Sequence, residues 1–306
     1  MTVKILAPAK INLLLETGVS ENGFHSIVSL IDIIDLCDTV EINESSKTKV
    51  VFSPPYDIPE DNTVVQSIAL LKERFNLKKE FDIKILKRIP PGSGLGGGSS
   101  DAAAVLNTLS GNCNQLPTRK EIVETASIIG KDVPLFLCGR RCVVEGFGEK
   151  IRKVPSNQTL FYLLFIPNFE VSTKNVYSNL DKMGIKGNLT QARAKIKIIL
   201  ALVESLDVVS IEKHIDNRLS YSYFNLYPQA REVKNYIEKK TGKSFFVSGS
   251  GGTLFAVFAT KREAEEKAVN IKVEGWKSFV VCSMTTSWKG GNDGNYRNKN
   301  FSCRQT

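Results

Sequence analysis

Three groups of residues in this chain have types and spacings suited to phosphate chemistry. The first is Pro90 to Ala104, PPGSGLGGGSSDAAA, in which five of the seven residues from Gly92 to Gly98 are glycine. Backbone of that composition takes positive φ freely, and no Cβ stands between its N–H groups and an incoming anion. Ser99 and Ser100 can then cap a helix that continues through Ala102, Ala103, Ala104, Val105, Leu106 and Leu109, adding unpaired N–H groups and the positive end of a dipole. The second group lies in ILAPAKINLLLETG, where strand alternation puts Lys10 and Asn12 on one face and Ile11, Leu13 and Leu15 on the other. A solvated edge-strand lysine has the same pattern, so spacing alone does not make Lys10 functional. The third is Asp132 in KDVPLFLCG, which reads equally as a helix N-cap and as a carboxylate at the lip of the phosphate site.

Familiar loops compete for the glycine stretch, and context separates them. A Walker A loop needs Gly-Lys-Ser/Thr, yet no lysine occurs between Arg88 and Lys120. Gly92, Gly94 and Gly97 satisfy GxGxxG, but Ile89, Pro90 and Pro91 separate the strand FDIKIL from the loop, and Asp101 and Glu121 fall outside the context of a dinucleotide fold. A flexible linker is disfavoured by Leu95, the flanking strand and the Ala-rich helix. Weaker features are Phe24 and His25 at the exit of an Asn22-Gly23 turn, and Tyr177 one turn into a helix capped by Ser172 or Thr173. A second glycine loop, Gly249 to Gly252, sits between two strand-like runs and also fits a plain hairpin.

The elements that must position these residues follow from periodicity. Early β-branched runs give way to helices: one over Val65, Ile68, Leu71 and Phe75 after Asp61 or Asn62, one opened by a Thr118–Glu121 capping box, and a hairpin in RCVVEGFGEKIRKV turning at Gly146 to Gly148. VPSNQ follows as the best linker. Beyond it come the strand FYLLFIP, the amphipathic runs QARAKIKIILALVESL and AREVKNYIEKK, the helix KREAEEKAV and the strand SFVVCSM. The pattern predicts an α+β protein of two domains, 1–155 and 156–285, with a basic Gly/Asn-rich tail at 286–306.

Composition bounds the function. With 306 residues, 42% hydrophobic and 24% charged, the chain can bury two cores. It contains no apolar run of bilayer length and no secretory signal pattern, so a cytoplasmic protein without membrane contact is expected. Six cysteines without a CxxC pair predict reduced thiols rather than zinc or disulfides. The net charge of +9 admits RNA but equally suits polyphosphate substrates, and no basic cluster or RNA-binding aromatic motif accompanies it.

In this order, PAKINL, GFH, PPGSGLGGGSSDAAA, KDVPLFL, EGFGEK, VSTKNVY and SGSGGTLFAVF resemble the GHMP kinase superfamily over roughly Ile5 to Phe258. The co-occurrence of PAKINL, GFH and VSTKNVY is similar to the branch that phosphorylates the tertiary 2-hydroxyl of a cytidine-diphosphate-linked methylerythritol in non-mevalonate isoprenoid synthesis. That resemblance implies an N-terminal domain like domain 2 of ribosomal protein S5, a ferredoxin-like C-terminal domain, and a site in the cleft between them. It implies ATP and Mg²⁺ as cofactors and a small cytidine diphosphate as substrate, with no nucleic-acid partner and a monomer or weak homodimer.

The resemblance also assigns residues. Lys10 and Asp132 are the implied catalytic pair, Asp132 taking the proton of a hindered alcohol and Lys10 keeping that carboxylate ionised and oriented. Pro91, Gly92, Gly94, Leu95, Gly96, Gly97, Gly98, Ser99 and Ser100 are implied to bind ATP, with Ser99 or Ser100 near the metal. Asn12, Phe24, His25, Thr173 and Tyr177 are implied to hold the substrate, two rings sandwiching the base and His25 reading its edge, while Gly249 and Gly251 close the site. Two departures stand out: Phe24 and Ser26 replace the usual tyrosine and glutamate of GYHE, and Phe224 to Tyr227 stands where NDLE is usual. A kinase for homoserine or a mevalonate derivative explains the loop but not GFH with VSTKNVY; an S5-like RNA module explains only the charge and fold.

Overall fold

The computed structural model describes residues 2–284 apart from Asn22, Asp57 and Arg140, so the 286–306 tail, Cys303 and the first residue of the expected Asn22-Gly23 turn lie outside the described residues. Two long strands, β1 (Val3–Glu21) and β2 (Phe24–Ser45), form an antiparallel hairpin that runs the length of the N-terminal sheet. Three register shifts bend it, at Pro8/Ala9, Asn12/Leu14 and Thr17/Ser20. The middle one corrects the expected strict alternation. The extra residue lets Leu14 join Ile11 and Leu13 in one core, whereas Leu15 packs in another.

After β3 (Lys49–Ser53), helix α1 (Thr63–Phe75) is capped by Asn62, whose side chain accepts from the N–H groups of Val64 and Val65. Strand β4 (Glu80–Leu86) leads into the glycine loop and α2 (Gly97–Leu109). The N-cap of α2 is Gly96, in the left-handed region at φ 74°, so Ser99 and Ser100 lie inside the first turn rather than capping it. Only a glycine enters a helix from that backbone conformation at no steric cost. The expected capping box is present at the start of α3 (Arg119–Ile129), and Asp132 occupies the N-cap position of α4 (Val133–Cys138), with Pro134 in the first turn where its missing N–H costs nothing. The hairpin of β5 (Cys142–Gly146) and β6 (Lys150–Lys153) completes the region.

The N-terminal sheet has the order β3-β4-β2-β1, and β5 pairs with a second stretch of β2. Helices α1 to α4 bury Ile68, Leu71, Ala103, Leu106 and Phe136 against one face. The other face, with Ile11, Leu13 and Leu30, packs on the second sheet.

That second sheet begins with β7 (Phe161–Pro167), after residues 154–158, the expected linker. Helices α5 (Thr173–Met183), α6 (Leu189–Glu204) and α7 (Val208–Glu212) precede the short β8 (Asp216–Asn217), which returns to pair in parallel with Leu14 and Leu15 of β1. Helices α8 (Leu219–Leu226) and α9 (Pro228–Thr241) lead to β9 (Phe246–Val247), β10 (Leu254–Phe258), α10 (Lys261–Ala268) and β11 (Trp276–Cys282). The sheet order is β11-β7-β10-β9, all antiparallel, which is the split arrangement of a ferredoxin-like domain. Among the described residues Cys37, Cys113, Cys138, Cys142 and Cys282 form no disulfide. No described helix is long and apolar enough to cross a membrane.

Candidate active site

The glycine loop is pinned from both domains. Lys10 N donates to Leu95 O at 2.9 Å, tying the loop to β1. From the far side, Thr253 N (3.0 Å) and Thr253 Oγ1 (2.7 Å) both donate to Ser93 O, and Val171 N donates to Gly92 O at 3.3 Å. A Cβ at Gly94, where φ is +76°, would overlap the carbonyl oxygens of Ser248 and Gly251. The loop therefore holds its shape by interlocking with Gly249 to Gly252, which is more than the plain hairpin that its flanking strands allow.

By helix geometry the N–H groups of Gly97, Gly98 and Ser99 at the start of α2 have no intrahelical acceptor, and the Ser100 N–H is the first to find one, at Gly96 O. Three donors and a helix dipole thus converge where an anion would sit. Ser100 Oγ is buried and has no hydrogen-bond partner, whereas Ser99 is half-buried at the loop surface. No cluster of three or more acidic, histidine or cysteine side chains suited to a metal occurs among the described residues. Ser99 and Ser100 place hydroxyl oxygens in the first turn of α2, which fits a hard cation carried mainly by phosphates and water.

Lys10 is only 5% exposed, with β2 paired on one side and the glycine loop bonded to its N–H on the other, so it is not a solvated surface lysine. Its Nζ donates to Asn12 Oδ1 at 2.6 Å; Asn12 Nδ2 donates to Ser29 Oγ at 2.9 Å, which donates to Leu14 O at 2.6 Å. This relay fixes the amide with its oxygen toward Lys10. Burial pulls the Lys10 ammonium below its ordinary pKa, and the negative charge of Asp132 opposes that fall. Asp132 is exposed and makes no side-chain capping bond, so its carboxylate is not committed to the helix it starts. The Tyr177 phenol is pushed up, chiefly by burial and further by the charge of Asp132.

At the β1–β2 hairpin end, Phe24 is 57% exposed with the Lys131 ammonium 5.3 Å from its ring centre, and among the described residues it stacks on no other ring. His25 is the residue that meets Tyr177, ring centres 5.0 Å apart and tilted by 36°. Its Nε2 lies 2.7 Å from Asp181 Oδ1. Thr173 Oγ1 is 2.7 Å from Ser250 Oγ, linking α5 to the second glycine loop, and a Cβ at Gly251 would overlap the Tyr223 ring. Sequence reasoning missed Ser29, Ser248, Lys131 and Asp181. Only Asp181 carried a local signal, being four residues beyond Tyr177 on one helix face.

Comparison with known proteins bears on this site. The family model described as GHMP kinases N terminal domain matches residues 62–140, and that described as GHMP kinases C terminal matches 199–274. A 4-diphosphocytidyl-2-C-methyl-D-erythritol kinase from Sulfurihydrogenibium sp. is 33% identical over 89% of this chain and 96% of its own. One of the same name from Persephonella marina is 36% identical over the same shares. A crystal structure of 4-(cytidine 5'-diphospho)-2C-methyl-D-erythritol kinase superposes with a TM-score of 0.76 at 27% identity, covering 92% of this chain and 100% of that one. Homoserine kinase from Cytophaga hutchinsonii, at TM-score 0.70 and 21% identity over 94% of this chain and 96% of that one, shares the fold. The chain belongs to the GHMP kinase family, among its 4-diphosphocytidyl-2-C-methyl-D-erythritol kinases.

Proposed function

We propose that this chain transfers the γ-phosphoryl group of ATP to the 2-hydroxyl of 4-diphosphocytidyl-2-C-methyl-D-erythritol. The observation that carries the residue assignment is Lys10: a buried lysine, held by Asn12 beside a helix N-terminus with free N–H groups. Full-length relatives of the same printed name support the substrate. Asp132 takes the proton of the tertiary alcohol as its oxygen attacks phosphorus in line. Lys10 orients that carboxylate, keeps it ionised and offsets charge on the transferred group.

Residues 91–100 cradle the phosphates, with Gly249 and Gly251 closing the loop from the other domain. Ser99 and Ser100 would offer hydroxyl oxygens to Mg²⁺, which when bound supplies charge neutralisation on the phosphates. Asn12, Phe24, His25, Thr173 and Tyr177 line the substrate side. In this reading the enzyme is cytoplasmic and acts as a monomer or weak homodimer.

The test is ATP consumption with Mg²⁺ on the cytidylated substrate, with free methylerythritol phosphate, homoserine and mevalonate as controls. Turnover confined to the cytidylated compound is the expected result. Turnover of homoserine or mevalonate instead would overturn the substrate assignment while leaving a kinase.

A further inference from the structure

The protein partner of His25 decides what its imidazole can read. The side chain is 7% exposed, and α5 grips it twice from one face: Tyr177 lies against the ring, and Asp181, one turn on, meets Nε2 at 2.7 Å. Asp181 is itself half open to solvent, so this is a placed hydrogen bond rather than a core ion pair. A carboxylate can only accept, which requires the proton of a neutral imidazole to sit on Nε2. Nδ1 is then a bare lone pair, and among the described residues no protein group bonds to it.

We propose that Asp181 is a positioning residue that makes His25 selective for cytosine by fixing its tautomer. The inference rests on the cytidine reading of this cleft. A lone pair at Nδ1 accepts from the exocyclic amino group of cytosine. Uracil presents a carbonyl oxygen at the same position, and two acceptors face each other. A site built to receive a base's N–H rejects the analogue that lacks it, because buried polar groups are left unpaired. Without Asp181 the imidazole exchanges its proton between the two nitrogens, and half of that discrimination mechanism is gone: the Nδ1–H form donates to the uracil oxygen.

The experiment compares wild type, Asp181→Ala and Asp181→Asn by two readouts. The first is the ¹⁵N imidazole spectrum near pH 8 in a His214→Gln background, which leaves His25 as the one histidine of the sequence. The second is calorimetric binding of cytidine diphosphate against uridine diphosphate, alongside KM and kcat on the cytidylated substrate. Wild type should show a single form protonated on Nε2 and a clear preference for the cytidine ligand. Asp181→Ala should give mixed tautomers and lose roughly tenfold of that preference, with the kinetic change in KM rather than kcat. Across both variants the Nε2–H fraction and the cytidine preference must fall together; a variant that changes one without the other overturns the proposal. Wild type that binds both nucleotides alike overturns the cytidine reading and this inference with it. A wild-type preference that survives Asp181→Ala overturns this inference alone.

Discussion

Lys10 Nζ and Asn12 Oδ1 lie 2.6 Å apart on one face of β1, and Asn12 is itself held by Ser29. The ammonium is therefore positioned by its own strand before any ligand arrives. Asn12→Asp places a second carboxylate on Lys10. It should draw the ammonium away from Asp132, lowering kcat by roughly tenfold. Because a neighbouring negative charge favours the charged amine, the Lys10 pKa rises and the alkaline limb of the pH–rate profile moves to higher pH. A limb that moves down, or stays fixed, contradicts Lys10 as the titrating group.

Removing the pair itself is the harsher test. Asp132→Asn and Lys10→Met should each lower kcat by about 10²- to 10⁴-fold, the range of a lost acid–base group. Asp132 is exposed and makes no capping bond, so Asp132→Asn should melt within a degree or two of wild type. Calorimetry beside single-turnover kinetics separates lost chemistry from lost fold.

Gly249 adopts φ +59°, and a Cβ there would lie 2.9 Å from both Lys10 Nζ and Gly94 O. Gly249→Ala meets backbone strain and displaces the ammonium at once. We expect kcat to fall at least tenfold with a stability loss of about 1–2 kcal/mol, read by kinetics and urea unfolding.

Beneath the glycine loop, Lys87 Nζ donates to Asp38 at 2.5 Å and Asp101 at 2.8 Å, all three side chains buried. Asp38 also accepts the N–H groups of Arg88 (2.5 Å) and Ile89 (2.8 Å), so the cluster ties the strand exit to α2. Lys87→Met strands two carboxylates and should cost about 3–5 kcal/mol. Burial pushes the Asp101 carboxyl up to about 7, against the opposing pull of Lys87. A carboxyl with a raised folded pKa binds its proton more tightly folded than unfolded. Its contribution is full below the ordinary aspartate range near pH ~4 and is lost as pH rises through about 7. Stability measured from pH 4 to 8 should fall along this window, and Asp101→Asn should flatten the slope.

Local signals made most of the elements legible. The Thr118 capping box, the Asn62 and Ser172 caps and the hairpin at Gly146 to Gly148 all rest on contacts within a few residues. Lys10 and Asn12 on one face were readable for the same reason, since alternation holds up to the bulge after Asn12. What failed was non-local. Leu15 changes core because of a register shift that no period reveals, and Ser99 and Ser100 are not caps because Gly96 enters the helix one turn earlier. Ser29 and Ser248 are ordinary serines in sequence; one reaches Asn12 across the β1–β2 pairing and the other through a fold separating the two by 236 positions. His25 read as a lone turn histidine because its partner lies 156 positions away.

The hold of Thr253 on Ser93 spans 160 residues, so the first glycine loop is completed by a segment that leaves the ribosome long after the loop itself. A nascent N-terminal half lacks the carbonyl oxygens of Ser248 and Gly251 that wall in Gly94. With residues 91–100 as the proposed phosphate cradle, nucleotide capture is expected only once the second glycine loop has been made and has docked. ATP should accordingly protect the loop from proteolysis in the full chain but not in a ribosome-stalled N-terminal fragment.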